Sequence, residues 1–190
     1  MNKGTLKQIS RVAVLIVIVL VSTNTTISCN RNREASEIVT SLYGRDVNIP
    51  QSDAVICKGR LYHEVDSSVL EKGKLLLVYY KELSGCSLCE IGHLYELARL
   101  PADSTYSVLV IVKPSQDAGK VIETVQLQQH AFPVLIDLNG AFHESNPFLP
   151  RNPKYHTLLL NHEKQVILVG DPLYNEKMMS VFNDVLQSFK

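Results

Sequence analysis

The sequence predicts an α/β fold: a mixed sheet with helices on both faces. Three observations carry that expectation. Two strands with unbroken apolar runs, Leu75–Tyr80 and Ser107–Val112 (apolar from Val108), alternate with segments whose apolar residues recur at helical spacing. Two more, Thr157–Leu160 and Gln165–Val169, flank Asn161-His162-Glu163-Lys164 and read as an antiparallel hairpin. The chain then closes on a one-sided helix. The order β–α–β–α–β–turn–β–β–α gives parallel strands joined by helical crossovers, followed by the hairpin.

Taken in order, Glu34–Tyr43 carries Ile38, Val39 and Leu42 at the spacing of a short amphipathic helix, which Gly44 ends. Val47–Pro50 and Ala54–Cys57 read as two short extended pieces, separated by Gln51-Ser52-Asp53 and closed by Lys58-Gly59. This front part is too short to bury a core of its own, so it is expected to pack on the main sheet as an extension. Strand Leu75–Tyr80 leads through Glu82-Leu83-Ser84-Gly85 into a helix (Leu88, Ile91, Leu94, Tyr95, Ala98) that ends near Leu100-Pro101. Strand Ser107–Val112 is too continuously apolar for a half-exposed position and is expected at the sheet centre. Pro114-Ser115 ends it. Gln116–Gln129 is a second helix on Val121, Ile122 and Val125, and the strand Phe132–Asp137 stops at Asn139-Gly140. Residues 141–154, with Pro147, Pro150 and Pro153, predict a loop or a single helical turn. Gly170-Asp171-Pro172 predicts the start of the last helix, with Asp171 as N-cap and Pro172 at its first position. Met178, Val181, Phe182, Val185, Leu186 and Phe189 form its apolar face.

The leader has its own chemistry. Lys3, Lys7 and Arg11 precede the unbroken apolar run Val12–Val21. That run is too short for a bilayer span of about 20 residues and has the length of a secretory signal's hydrophobic region. Ser28 directly before Cys29 resembles the bacterial lipoprotein box, with Thr26 where Leu is usual. Residues 1–28 are therefore expected to be a signal peptide and Cys29 the lipidation site, with ordinary cleavage or an uncleaved anchor as alternatives. The expected location is the cell envelope, lipid-anchored to a membrane and facing the periplasm or the exterior.

Without the leader, 162 of the 190 residues remain, enough for one domain. All 19 acidic residues follow Cys29 and three of the 19 basic residues precede it, so the remainder is mildly acidic at −3. That balance, without a basic stripe, argues against nucleic acid as a partner. Gly44, Gly85 and Gly92 form no phosphate loop, Asp137 and Glu144 no carboxylate pair, and the Ser/His combinations no nucleophile elbow. No cofactor is implied. Export makes disulfide chemistry available to Cys57, Cys86 and Cys89, which read as one pair and one bystander. Cys57, among Ala54, Val55 and Ile56, reads as a small buried hydrophobe, with an auxiliary redox thiol as the alternative.

Cys86-Ser87-Leu88-Cys89 places two thiols three apart at a strand-to-helix turn, a spacing suited to dithiol–disulfide exchange or to half a zinc site. In the redox reading Cys86 attacks and Cys89, one turn in and less exposed, resolves. Ser87 and Glu90 form a capping-box pattern that would set Cys86 just outside the helix. In the metal reading Cys86, Cys89 and His93 supply three ligands, since Cys89 and His93 are four apart, and His156 a fourth.

A CxxC at the end of the first core strand, in this order of elements, resembles the thioredoxin fold over about residues 74–190. The strand and turn at Phe132–Phe148 look like the insertion of the TlpA-like/redoxin branch of thiol-disulfide oxidoreductases. The resemblance divides the chain into a lipoprotein-type signal (1–28), a tether and extension (29–73) and a thioredoxin-like domain (74–190). It implies Cys86 and Cys89 as catalytic residues, exported protein thiols or disulfides as substrates, and a membrane or periplasmic redox partner. The pattern departs in two places. Gly85 stands where an aromatic residue is usual. The position ahead of the hairpin, where the family places a cis-proline, is Tyr155-His156, and these two residues are the expected substrate-docking site; Pro133 reads as the start of the inserted strand. Two other readings share the fold. One is a redox-inert binding lipoprotein that uses the surface around Tyr155-His156. The other is a copper- or zinc-handling Sco-like protein, a group that spaces its cysteines four apart.

Overall fold

A computed structural model describes residues 33–51, 54–62, 74–83, 87–115 and 117–189, the side chains of residues 87 and 88 excepted. The chain divides into two compact units, Met1–Ser41 and Leu42–Lys190. Helix α1 begins at residue 33 and runs to 42, with Arg33 and Glu37 paired at 2.9 Å across one turn. Gly44 ends it at φ +75°, a value that costs a residue without Cβ little. The expected signal peptide and Cys29 lie outside the described residues. Among those described, no helix is long and apolar enough to cross a membrane.

The second unit is built on a seven-stranded sheet. Its strands are β1 (Val55–Cys57), β2 (Arg60–Tyr62), β3 (Leu75–Glu82), β4 (Tyr106–Lys113), β5 (Val134–Ile136), β6 (Thr157–Leu160) and β7 (Val166–Val169). They lie in the order β2-β1-β5-β4-β3-β6-β7. β3, β4 and β5 are parallel, while β6 and β7 form the expected antiparallel hairpin, with β6 antiparallel to β3. The run Ser107–Val112 does sit at the centre, with Leu109, Val110, Ile111 and Val112 fully buried. Both parallel crossovers advance in the same direction across the sheet. Right-handed connections therefore set their helices on one face.

Those helices are α2 (Ser87–Gly92), continued by a 3₁₀ segment (His93–Arg99), and α3 (Ala118–Gln128). Together with α5 (Glu176–Gln187) they cover Leu75, Leu77 and Tyr79 of β3 and Val110 and Val112 of β4 with Ile91, Leu94, Val121, Val125, Phe182 and Leu186. The alternate residues of β3, Leu76, Val78 and Tyr80, point to the other face. There the Tyr80 ring packs 4.8 Å from Phe142 of α4 (Ala141–Ser145). Residues 141–154 thus contribute α4 and the start of a 3₁₀ turn, Pro153–Tyr155, one more than the single turn expected.

Three expectations change. The front extension enters the sheet itself, because β1 pairs antiparallel with β5 and carries β2, a strand the sequence did not announce, at the edge. Residues 47–50 form no strand. The pairing lies at residues 44–47, where Gly44 and Val47 donate to Val166 and Lys164 carbonyls and Asp46 bridges Gln165 alongside β7. At the last helix, Asp171 caps a 3₁₀ turn, Pro172–Tyr174, and α5 starts later, with the Asn175 side chain accepting from the Met178 amide at 2.8 Å. Pro172 fits a first helical position, but of the shorter turn.

Candidate functional site

The strand-to-helix turn of the CxxC stretch follows the C-terminal end of β3. Cys86 lies outside the described residues. α2 begins at Ser87, so that residue opens the helix where the capping-box pattern had it preceding the first turn. Cys89 is exposed and disulfide-bonded; Cys57 is the free thiol among the described residues. Whether Cys89 is less exposed than Cys86 lies outside the described residues.

The helical periodicity of this segment needs correction. A 3.6-residue period put Leu94, Tyr95 and Ala98 on one apolar face. After Gly92 the backbone tightens to 3₁₀, whose period is three, and the buried residues become Ile91, Leu94, Leu97 and Leu100. Tyr95 is left 65% exposed, so the expectation that it packs the core fails. Tyr79 and Tyr80 do pack there.

Beside the strand end lies a network that sequence reasoning missed. The Tyr80 hydroxyl donates to Glu82 Oε1 at 2.8 Å, and Lys113 Nζ, opposite in β4, approaches the same oxygen at 3.1 Å. The Tyr80 hydrogen bond, reinforced by Lys113, holds the Glu82 carboxyl below its ordinary range. Burial, then Glu82 itself, pushes the Tyr80 phenol up. Only the strand register joins residues 31 positions apart, so no local signal marked this pair.

Tyr155 and His156 sit where the sequence placed them, directly ahead of β6 and against β3, with the Tyr80 amide donating to the His156 carbonyl at 3.1 Å. Their surroundings differ from those of an open docking surface. Both are buried, and their amides are spent within the preceding 3₁₀ turn on Asn152 and Pro153 carbonyls. His156 Nε2 lies 2.7 Å from the Pro150 carbonyl. A carbonyl only accepts, so this nitrogen carries the proton. Nδ1 is buried without a partner among the described residues.

The proposed metal set does not assemble from its histidines. His93 is exposed on the α2 face, 3.4 Å from Glu96 Oε1, whereas the His156 ring lies 5.3 Å from that of Tyr80 on the opposite face. Among the described residues no group of three potential ligands converges.

No family model matches the chain, and no curated protein matches it. Solved structures do. A thioredoxin-like protein in its oxidised form aligns with 78% of this chain and 99% of its own, at 15% identity and a TM-score of 0.50. The fold is thioredoxin-like. The thioredoxin domain of a thiol-disulfide oxidoreductase from Bacteroides vulgatus aligns with 76% of this chain and 97% of its own, at 13% identity and a TM-score of 0.50. The C-terminal domain of a candidate thiol-disulfide oxidoreductase from Bacteroides thetaiotaomicron covers 78% and 98%, at 14% identity and a TM-score of 0.51. The likeness at this identity is one of fold, and the activities in those names belong to those proteins.

Proposed function

We propose that this chain is a thiol-disulfide oxidoreductase of the cell envelope, working through Cys86 and Cys89. The observation that carries the reading is an exposed, disulfide-bonded Cys89 in the first turn of the helix after β3, in a thioredoxin-like fold. Cys86, three residues earlier, is the partner we assign to it. In the reduced protein the Cys86 thiolate attacks one sulfur of a substrate disulfide, whose other sulfur leaves as a thiolate and takes up a proton. Cys89 then loses its proton and attacks the mixed disulfide at Cys86. The chain is left oxidised, and the substrate gains two electrons and two protons. The reverse sequence oxidises a substrate dithiol. The solved structures that share the fold, two of which carry this activity in their names, support the same class. Lipidation at Cys29 would hold the dithiol beside exported proteins and a membrane or periplasmic redox partner.

Burial of Tyr155 and His156 shapes the docking step. With both amides and the His156 carbonyl already hydrogen-bonded, a substrate would meet exposed Lys154, whose Nζ stands 4.6 Å over the Tyr155 ring, before the main chain of either residue.

Equilibration with glutathione buffers, read by alkylation and mass, tests the reading. A two-electron midpoint within roughly −120 to −300 mV is expected, as is its loss in Cys86→Ser and Cys89→Ser. A Cys89 that stays fully oxidised or fully reduced across that whole range sinks it and leaves the binding-lipoprotein alternative.

A further inference from the structure

At the opposite end of the sheet, where β3 and β4 begin, the second unit lines an open cavity of about 820 Å³. That volume lies within the range of small-molecule sites. Its walls are rich in flat rings. Tyr62, 38% exposed, and the displaced Tyr95 both line it. A third wall is Phe132, on which the His130 ring stacks at 4.9 Å and 16°. Burial lowers the His130 pKa, which keeps that stack uncharged near neutral pH. Aromatic walls of this kind suit a planar guest.

Among the described residues two lysines, Lys58 and Lys74, line the cavity against one carboxylate, Asp103, whose Oδ1 accepts from the Thr105 amide. Cys57, the free thiol, lines the cavity, and Lys58 stands next to it in the β1–β2 turn. Burial pushes the Cys57 thiol up, and the Lys58 charge pulls it back, so a negative group at the sulfur's position is favoured by that amine. With its pKa raised, the thiol is a poor nucleophile at neutral pH, and the cavity reads as a binding site rather than a second redox centre.

We propose that this cavity binds a small aromatic acid. The ring lies among Tyr62, Tyr95 and the His130–Phe132 stack, and the carboxylate or sulfonate is directed to Lys58. The eight residues of β3, roughly 25 Å of strand, separate it from the dithiol turn. The site is therefore independent of the redox reading.

Cys57 serves as the reporter. Dithiobis(nitrobenzoate), an aromatic dicarboxylate disulfide, forms a mixed disulfide with the Cys57 thiolate and releases coloured thionitrobenzoate. The thiol proton goes to solvent. The whole chain is used, with residues 63–73 in place and Cys89 oxidised, and the signal is defined as that absent from Cys57→Ala. The expected rate saturates with reagent and falls about tenfold under excess naphthoate. In Lys58→Gln the half-saturating concentration should rise roughly three- to tenfold. A rate that stays linear in reagent and is indifferent to naphthoate overturns the site. Unchanged affinity in Lys58→Gln overturns the assignment of the anion.

Discussion

Asn146 is wholly buried, yet it uses both ends of its amide. Its oxygen accepts from the Asn48 amide at 2.8 Å, and its nitrogen donates to the Asn48 and Phe142 carbonyls at 2.8 and 2.6 Å. Asn146→Ala would remove three hydrogen bonds to main-chain groups, a buried one to Phe142 and two part-buried ones to Asn48. A buried group left unsatisfied costs about 1–3 kcal/mol, and water reaches the Asn48 pair, so a loss of roughly 1–3 kcal/mol is expected. Urea unfolding should show it as a lower midpoint at unchanged slope; a loss below half a kcal/mol would mean that Asn48 finds other partners. Glu82 makes a smaller, pH-dependent contribution. Its folded pKa is depressed, so its stabilisation is complete above the unfolded value and disappears as pH falls through the folded one. Its side chain is 47% exposed, and screening reduces the effect to a few tenths of a kcal/mol. Midpoints compared from pH 6 down to about pH 3 should fall less steeply in Glu82→Gln than in the parent. Neither residue was legible in the sequence, because Asn146 and Asn48 meet across 98 positions.

The β1–β2 hairpin shows how an element enters the fold unannounced. Lys58 and Gly59 both have positive φ, +49° and +73°, as a two-residue primed turn requires. A Cβ on Gly59 would stand 2.9 Å from the Gln126 carbonyl oxygen, a main-chain atom near the end of α3 that cannot rotate aside. Gly59→Ala is therefore expected to lose about 1–3 kcal/mol. Faster amide exchange should appear at Val55 to Tyr62 before the rest of the sheet; uniform loosening would disprove the local account. The Lys58-Gly59 pair was read as a stop, and its meaning as a turn between two strands needed the partner β5 to be seen. The 3₁₀ continuation after Gly92 is a similar case. Apolar residues at 91, 94, 95 and 98 fit an α-helix, and only packing against the sheet selects 91, 94, 97 and 100.

For the molecule as a whole, the alkaline limit of stability follows from its buried phenols. Tyr79, beside Asp171, Tyr80 and Tyr106 all have raised pKa values, chiefly through burial, and Tyr106 is pushed up to about 12. Unfolded tyrosine ionises near about 10. Stability is thus full below that pH and falls as pH rises above it, by at most about 1.4 kcal/mol per pH unit for each such tyrosine. Urea midpoints measured from pH 8 upward should show this decline, made shallower by Tyr106→Phe; an unchanged slope in that variant would contradict the assignment. The sequence by itself determined the parallel core, the hairpin, the closing helix and the place of the CxxC turn, because continuous apolar runs and helical spacing are local consequences of which faces must leave water. The tertiary structure alone decided the seven-strand order, the tightening after Gly92, the burial of His156 and the cavity beside Cys57. Each depends on residues far apart in the chain meeting, and no short-range pattern encodes which distant surface will be there to meet.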